Sequence, residues 1–104
     1  MAKNLIGNKW LDASDGGVIT ITNPATGQVI DTVPESTARD CDAAVQAAKK
    51  GQKKWEKRPL HERAKILMKF VSLVEKNKDE LAKLLCSETG KPIKEAYGEI
   101  ANVS

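Results

Sequence analysis

Two periodicities divide the chain. As far as Pro34, apolar residues come in short, β-branched runs broken by Gly, Asn and Pro, and from Ser36 onward they recur at three- and four-residue intervals. In the first part, Leu5-Ile6 and Lys9-Trp10-Leu11 flank Gly7-Asn8, a pair suited to a tight hairpin. Asp15-Gly16-Gly17 marks a second turn. Val18, Thr20 and Thr22 then alternate with Ile19 and Ile21, the pattern of a half-buried strand. Asn23-Pro24-Ala25-Thr26-Gly27 breaks that strand: Pro24 presets φ for a turn and Gly27 tolerates a positive one. Gln28 to Val33 resumes as a strand that stops at Pro34. Residues 1–35 thus read as a small antiparallel β unit.

Residues 36–104 read as about four helices, which makes the fold class α+β. Ser36 or Thr37 caps the first helix, with Asp40 completing a capping box three residues after Thr37. Its apolar stripe is Cys41, Ala44, Val45, Ala48 and Trp55, weakened late by Gly51. Pro59 fits the first turn of a second helix with the stripe Leu60, Ala64, Leu67, Phe70, Val71 and Val74. Asn77 and Glu80 are the predicted cap of a third, whose buried face is Leu81, Leu84 and Leu85. Gly90-Lys91-Pro92 ends it, with Gly as the left-handed cap and Pro unable to continue. Pro92 opens a fourth helix whose stripe (Ile93, Ala96, Tyr97, Ile100, Val103) is still running at Ser104. A helix that reaches the terminus without a cap predicts an incomplete N-terminal part of a larger protein.

Composition narrows the possible functions. At 104 residues the chain holds at most one small domain, and no apolar run approaches membrane-spanning or signal-peptide length. A cytoplasmic location without membrane partners is therefore expected. Cys41 and Cys86 lie far apart, with no Cys-x-x-Cys, so reduced thiols are expected rather than a disulfide framework. One His and two scattered Cys cannot supply the roughly four ligands of a structural zinc site. Neither glycine-rich nucleotide-binding motif occurs, and H-E-x-x-H is absent.

Charge is unevenly placed: residues 1–35 carry 2 basic and 4 acidic side chains, residues 36–104 carry 15 and 10. The densest stretch, Lys49 to Arg58, has six basic residues, one acid and an embedded Trp55. Lysines beside an aromatic ring are the chemistry of a nucleic-acid patch, and a free-standing basic interaction module is the alternative reading of the chain. Trp55, however, continues the first helix's stripe, which turns its ring toward the core and leaves the lysines as a solvated helix end. No nucleic-acid partner is expected. Cys41 and Cys86 are possible nucleophiles by residue type, but Cys41 falls on the first helix's stripe, Cys86 sits beside Leu84 and Leu85 within a helix, and His61 is the chain's one imidazole. Structural thiols are the favoured reading. Glu88, Glu95 and Glu99 have no visible partner for acid/base work.

Read in order, six pieces carry a family resemblance. They are Ile6-Gly7-Asn8-Lys9-Trp10, Asn23-Pro24-Ala25-Thr26-Gly27-Gln28-Val29-Ile30, Asp42-Ala43-Ala44-Val45-Gln46-Ala47-Ala48, Trp55, Glu62-Arg63-Ala64-Lys65-Ile66-Leu67, and Glu88-Thr89-Gly90-Lys91-Pro92-Ile93-Lys94-Glu95-Ala96. In this order and spacing the chain resembles the N-terminal segment of the aldehyde dehydrogenase superfamily. The resemblance implies a piece of that family's α/β fold and a parent oxidoreductase several-fold longer. That parent uses NAD or NADP to oxidise an aldehyde to the carboxylate and works as a homo-oligomer. The family's thiol nucleophile, oxyanion donors and water-activating Glu fall beyond Ser104, so no catalytic or cofactor-binding residue is carried over. The segment's partner is then the remainder of the parent chain. Alone it is expected to be inactive, to bind no cofactor, and to be marginally stable or self-associating. Family members also hold a monovalent cation through a backbone carbonyl before the Asn-Pro turn and an acidic side chain before Gly-Lys-Pro. Those positions are Thr22 and Glu88 here. Ser-Glu-Thr-Gly-Lys-Pro together with Asn-Pro-Ala-Thr-Gly looks most like bacterial succinate-semialdehyde dehydrogenases.

Overall fold

The computed structural model describes residues 2–103. Four strands precede four helices: β1 (Asn4–Ile6), β2 (Lys9–Leu11), β3 (Val18–Thr22), β4 (Val29–Pro34), α1 (Ala38–Glu56), α2 (Leu60–Lys76), α3 (Lys78–Thr89) and α4 (Ile93–Ala101). The strands form two separate pairs, β1 with β2 and β3 with β4. The predicted antiparallel unit followed by helices is what the chain forms. Contacts divide it into two compact units, residues 1–21 with 31–58 and residues 22–30 with 59–104.

In the first unit, β1 and β2 pair antiparallel with Leu5 opposite Trp10 and Ile6 opposite Lys9. The two linking residues, Gly7 and Asn8, both have positive φ, 58° and 63°, as the favoured two-residue hairpin turn requires. This hairpin packs on α1. The N-terminus of α1 is its anchor. Thr37 is the N-cap, and the box closes: Asp40 N–H donates to Thr37 Oγ1 at 3.3 Å while Thr37 N–H donates to Asp40 Oδ2 at 2.9 Å. The backbone N–H of Ser14 also donates to Asp40, at 3.1 Å to Oδ2, and Asn4 Nδ2 donates to Ser36 Oγ at 2.7 Å. One carboxylate therefore caps the helix and ties down the preceding loop. These donors, led by Thr37 N–H, hold the Asp40 carboxyl below its ordinary pKa.

The second unit carries α2 to α4. The contact between α3 and α4 is the most extensive in it, and each supplies one fully enclosed alanine, Ala82 and Ala96, both 0% exposed. A methyl side chain lets two helix backbones approach closely. Tyr97 Oη on α4 donates to Asp79 Oδ1 on α3 at 2.9 Å, and that hydrogen bond raises the tyrosine's pKa. Lys91 pairs with Glu99 across the entrance of α4.

Several expectations are corrected. Asn77 starts α3, but its side chain makes no N-cap bond; Nδ2 donates back to Leu73 O at 2.7 Å. Because Asn77 is also the C-cap of α2, the spare carbonyls of the preceding helix take its amide. Cys41, expected on a buried stripe, is exposed, as are Val45 and Ala48. Ala44 and Ala47 are the half-buried residues in that part of α1, and Trp55 is half-buried nearer its end. On α2, Leu60 is 73% exposed and Leu67 and Phe70 are each 55% exposed, while Val71 and Val74 are half-buried. On α3, Leu84 is exposed and Leu81 and Leu85 are half-buried. The stripes exist, but little in the described chain covers them. The fourth helix does not run to the terminus. It ends at Ala101, where Asn102 N–H bonds to both Gly98 O and Glu99 O and tightens the last turn. Ser104 lies outside the described residues.

Candidate functional site

The best-defined local arrangement lies within the second unit, where the Asn23–Gly27 turn meets the end of α3. The turn is closed by Asn23 N–H to Gln28 O at 2.8 Å and Gly27 N–H to Asn23 O at 2.7 Å. Asn23 Oδ1 accepts from Ala25 N–H at 2.9 Å, an Asx turn that orients the strand end. At α3, Gly90 is the left-handed cap with φ 72°, and its N–H bonds to Cys86 O at 2.9 Å. Thr89 Oγ1 donates to Leu85 O at 2.7 Å. A Cβ built on Gly90 would stand 2.9 Å from Pro24 Cγ, closer than real side chains approach. The two motifs are thus in direct contact, and glycine is required at that contact twice over, by φ and by space.

Thr22 closes β3 one residue before the turn, and Glu88 sits in the last turn of α3, two residues before the cap. Both are exposed. Lys91, one residue past the cap, is paired with Glu99, and the end of α3 itself is negative. The C-terminal end of a helix carries partial negative charge, Glu88 adds a full one, and α3 has no basic residue in its last turn. Oxygen donors in a negative field fit a hard cation. Among the described residues no group of three or more His, Cys, Asp or Glu forms a metal cluster, so any such site rests on carbonyl oxygen and one carboxylate.

The remaining candidates are dispersed. Cys41 lines a pocket of about 200 Å³ with Asn4, Ile6, Ser36, Asp40 and Ala44. That lining has no imidazole or cation to activate a thiol. Cys86 is half-buried, and both thiols are free. His61 is exposed at the start of α2. The basic residues from Lys49 to Arg58 are exposed on the last turns of α1 and just beyond, beside the half-buried Trp55. Sequence reasoning missed two features: the Asp79–Tyr97 bond, whose partners are eighteen residues apart, and the Nε of Arg63, buried with no hydrogen-bond partner among the described residues. Neither leaves a local sequence signal. Among the described residues no helix is long and apolar enough to cross a membrane.

Residues 10–104 match the family described as "Aldehyde dehydrogenase family". Malonate-semialdehyde dehydrogenase 1 of Geobacillus kaustophilus is 47% identical over 98 residues, which is 94% of this chain and 20% of that protein. The solved succinate-semialdehyde dehydrogenase from Burkholderia pseudomallei superposes with a TM-score of 0.92 at 38% identity, covering 97% of this chain and 21% of the other. An NADP-dependent enzyme from E. coli gives 0.92 at 40% identity, covering 95% and 21%. The chain therefore spans about a fifth of the length of the curated relatives it matches.

Proposed function

Because the chain belongs to the aldehyde dehydrogenase family, we propose that it is the N-terminal part of an NAD(P)-dependent enzyme that oxidises succinate semialdehyde to the dicarboxylate. The observation that carries this reading is the unbroken match over residues 10–104. Support for a semialdehyde comes from relatives named for malonate and succinate semialdehydes, both short aldehydes with a carboxylate at the far end. The nicotinamide, when bound, supplies the hydride acceptor. In this reading the nucleophilic thiol, the oxyanion donors and the water-activating carboxylate all belong to the rest of the enzyme. Cys86 is a structural thiol, Cys41 is an exposed thiol without a group beside it to activate it, and residues 1–35 and 36–104 are a strand segment and a helical segment of the scaffold. The parent works in the cytoplasm as a homo-oligomer.

Within that scaffold, Thr22 and Glu88 hold a monovalent cation, the Thr22 carbonyl and the Glu88 carboxylate being two of its oxygens. The close approach of Pro24 to Gly90 supports this assignment because it fixes the two segments against each other. The cation would then brace the turn against the end of α3 rather than take part in chemistry.

The test is to read the source gene past codon 104 and assay its full product. The expected frame continues through a dinucleotide-binding unit with a later Cys and Glu. Its product reduces NAD or NADP, followed at 340 nm, with kcat/KM at least tenfold higher for succinate than for malonate semialdehyde. A reversed preference would move the substrate assignment to the shorter aldehyde, and a stop codon after Ser104 would refute the enzymatic reading. Glu88→Gln in that product should abolish the rise in Tm produced by K⁺ or Na⁺, and an unchanged rise would remove the cation assignment.

A further inference from the structure

Helix packing does not account for the basic end of α1. Lys49, Lys50, Lys53, Lys54, Lys57 and Arg58 are all exposed, and among the described residues none of their side chains is in an ion pair or hydrogen bond. At about 100° per residue they form two parallel rows, Lys49-Lys53-Lys57 and Lys50-Lys54-Arg58, with neighbours in a row about 6 Å apart along the axis. Both rows continue past Glu56, because Lys57 keeps helical dihedrals (φ −79°, ψ −15°) and Arg58 N–H bonds to Trp55 O at 3.1 Å. The rows cover about half the circumference of the helix, and the half-buried Trp55 lies on the other half.

A helix C-terminus favours cations, but only within its last turn, where Lys53 and Lys54 stand. Lys49 and Lys50 lie a turn earlier, each four residues from a like charge that repels it. Glu56, the one acid of the stretch, lines a shallow depression of about 440 Å³ with Gln46, Lys49, Lys50, Gln52 and Lys53. One carboxylate leaves most of the six charges unbalanced, and a regular array of unmet cations fits a polyanion.

The face itself discriminates among polyanions. Stable protein interfaces are anchored by aromatic and aliphatic side chains, and the one large exposed apolar side chain on α1 is Val45, a turn before the array. Phosphates need no such anchor. A stiff duplex laid on a convex helix reaches one row, whereas a flexible single strand can wrap across both. The sequence set this stretch aside as a nucleic-acid surface because Trp55 turns inward. Trp55 is half-buried, which removes base stacking but not the phosphate contacts.

We propose that the two cationic rows of α1 bind single-stranded nucleic acid through its phosphates, without sequence preference. The surface lies within the first unit and does not depend on the dehydrogenase reading.

The test is the anisotropy of a fluorescein-labelled, mixed-sequence DNA strand of about twenty nucleotides, titrated with the full gene product, with dehydrogenase activity read on the same preparation. The expected Kd is about 1–100 μM near physiological salt, and with six phosphates engaged log K falls against log[KCl] with a slope of about −4. Combined Lys49→Gln, Lys53→Gln and Lys57→Gln should halve the slope to about −2 and weaken binding about tenfold or more, with Tm and kcat/KM unchanged. Arg at the same three positions should retain binding, and Glu56→Gln, which removes the opposing charge, should tighten it about twofold. An equal loss in the control Lys65→Gln, Lys76→Gln and Lys83→Gln would assign binding to net charge rather than to this face and overturn the proposal. So would a slope near zero, tighter binding of a duplex of equal length, or tighter binding of polyglutamate, the last assigning the face to an acidic protein segment. A gene product that binds the strand as expected but has no dehydrogenase activity overturns the enzymatic reading and supports this one.

Discussion

Replacing Gly90 by alanine should be among the most damaging single-methyl additions in the chain. Two costs combine at this position. Gly90 has φ 72°, and an L-residue in that region costs about 1–2 kcal/mol through the encounter of Cβ with the backbone. The added Cβ would also meet Pro24 Cγ at 2.9 Å, where a pyrrolidine ring cannot swing aside, and forced overpacking adds about 1–3 kcal/mol. The total is about 2–5 kcal/mol, large against the stability of a chain this small. Urea unfolding followed at 222 nm reads the loss directly. A double-mutant cycle with Pro24→Ala separates the two costs. Gly90→Ala should cost about 1–3 kcal/mol less in the Pro24→Ala background, leaving the φ term alone. Gly16→Ala is the control, since Gly16 has φ 75° and nothing within 4 Å of the added atom, so it should cost only the φ term. If Gly90→Ala is no worse than Gly16→Ala, or if the cycle shows no coupling, the turn and the α3 cap are not in hard contact.

Other perturbations test the remaining elements. Gly51→Ala, in α1 with open space around the added methyl, should raise stability by about 0.5–1 kcal/mol and lift Tm, and a lower Tm would show an unrecognised contact there. Thr37→Ala removes the N-cap of α1 and should cost about 0.5–2 kcal/mol by urea midpoint. The lowered pKa of Asp40 sets a pH dependence: its contribution is complete above the ordinary carboxylate range and is lost as pH falls through that range toward the folded value. Asp40→Asn should flatten this acid slope, and an unchanged slope would place its origin elsewhere. Tyr97 has the opposite sign, because its raised pKa means that the bond to Asp79 stabilises below the ordinary tyrosine range and is lost as pH rises through the raised value. Absorbance at 295 nm should show a late-titrating phenol that returns to normal in Asp79→Asn.

What was legible in the sequence was local. Gly7-Asn8, the Thr37–Asp40 box and Gly90 each specify a backbone conformation within four residues, and all three form as read. Asn77 was harder because one residue serves two helices, and the sequence does not say which end its amide will satisfy. Burial was not legible. A helical stripe records which face needs covering, whereas the exposure of Leu60, Phe70 and Leu84 depends on surfaces that the described chain does not provide. Ala82 shows the converse: it fell on no predicted stripe, whereas Ala96 was read on that of the fourth helix, and the contact between α3 and α4 encloses both. Thr22 and Glu88 came from resemblance. Nothing between positions 24 and 90 announces that Pro24 and Gly90 touch, because that contact is made by tertiary folding alone.

The buried apolar residues among those described are three alanines, Ala13, Ala82 and Ala96. Unfolding such a chain hydrates less new hydrocarbon than unfolding a domain with a full core, and the heat-capacity change of unfolding comes mainly from that hydration. Calorimetry should therefore give an increment well below the roughly 1.2–1.5 kcal/mol/K of a 100-residue domain with a full core. The curve of stability against temperature would then be shallow, its two crossings far apart and its maximum low. Cooling such a segment should change its stability little, whereas seating it on an apolar partner should restore the steep curvature of an ordinary globular protein.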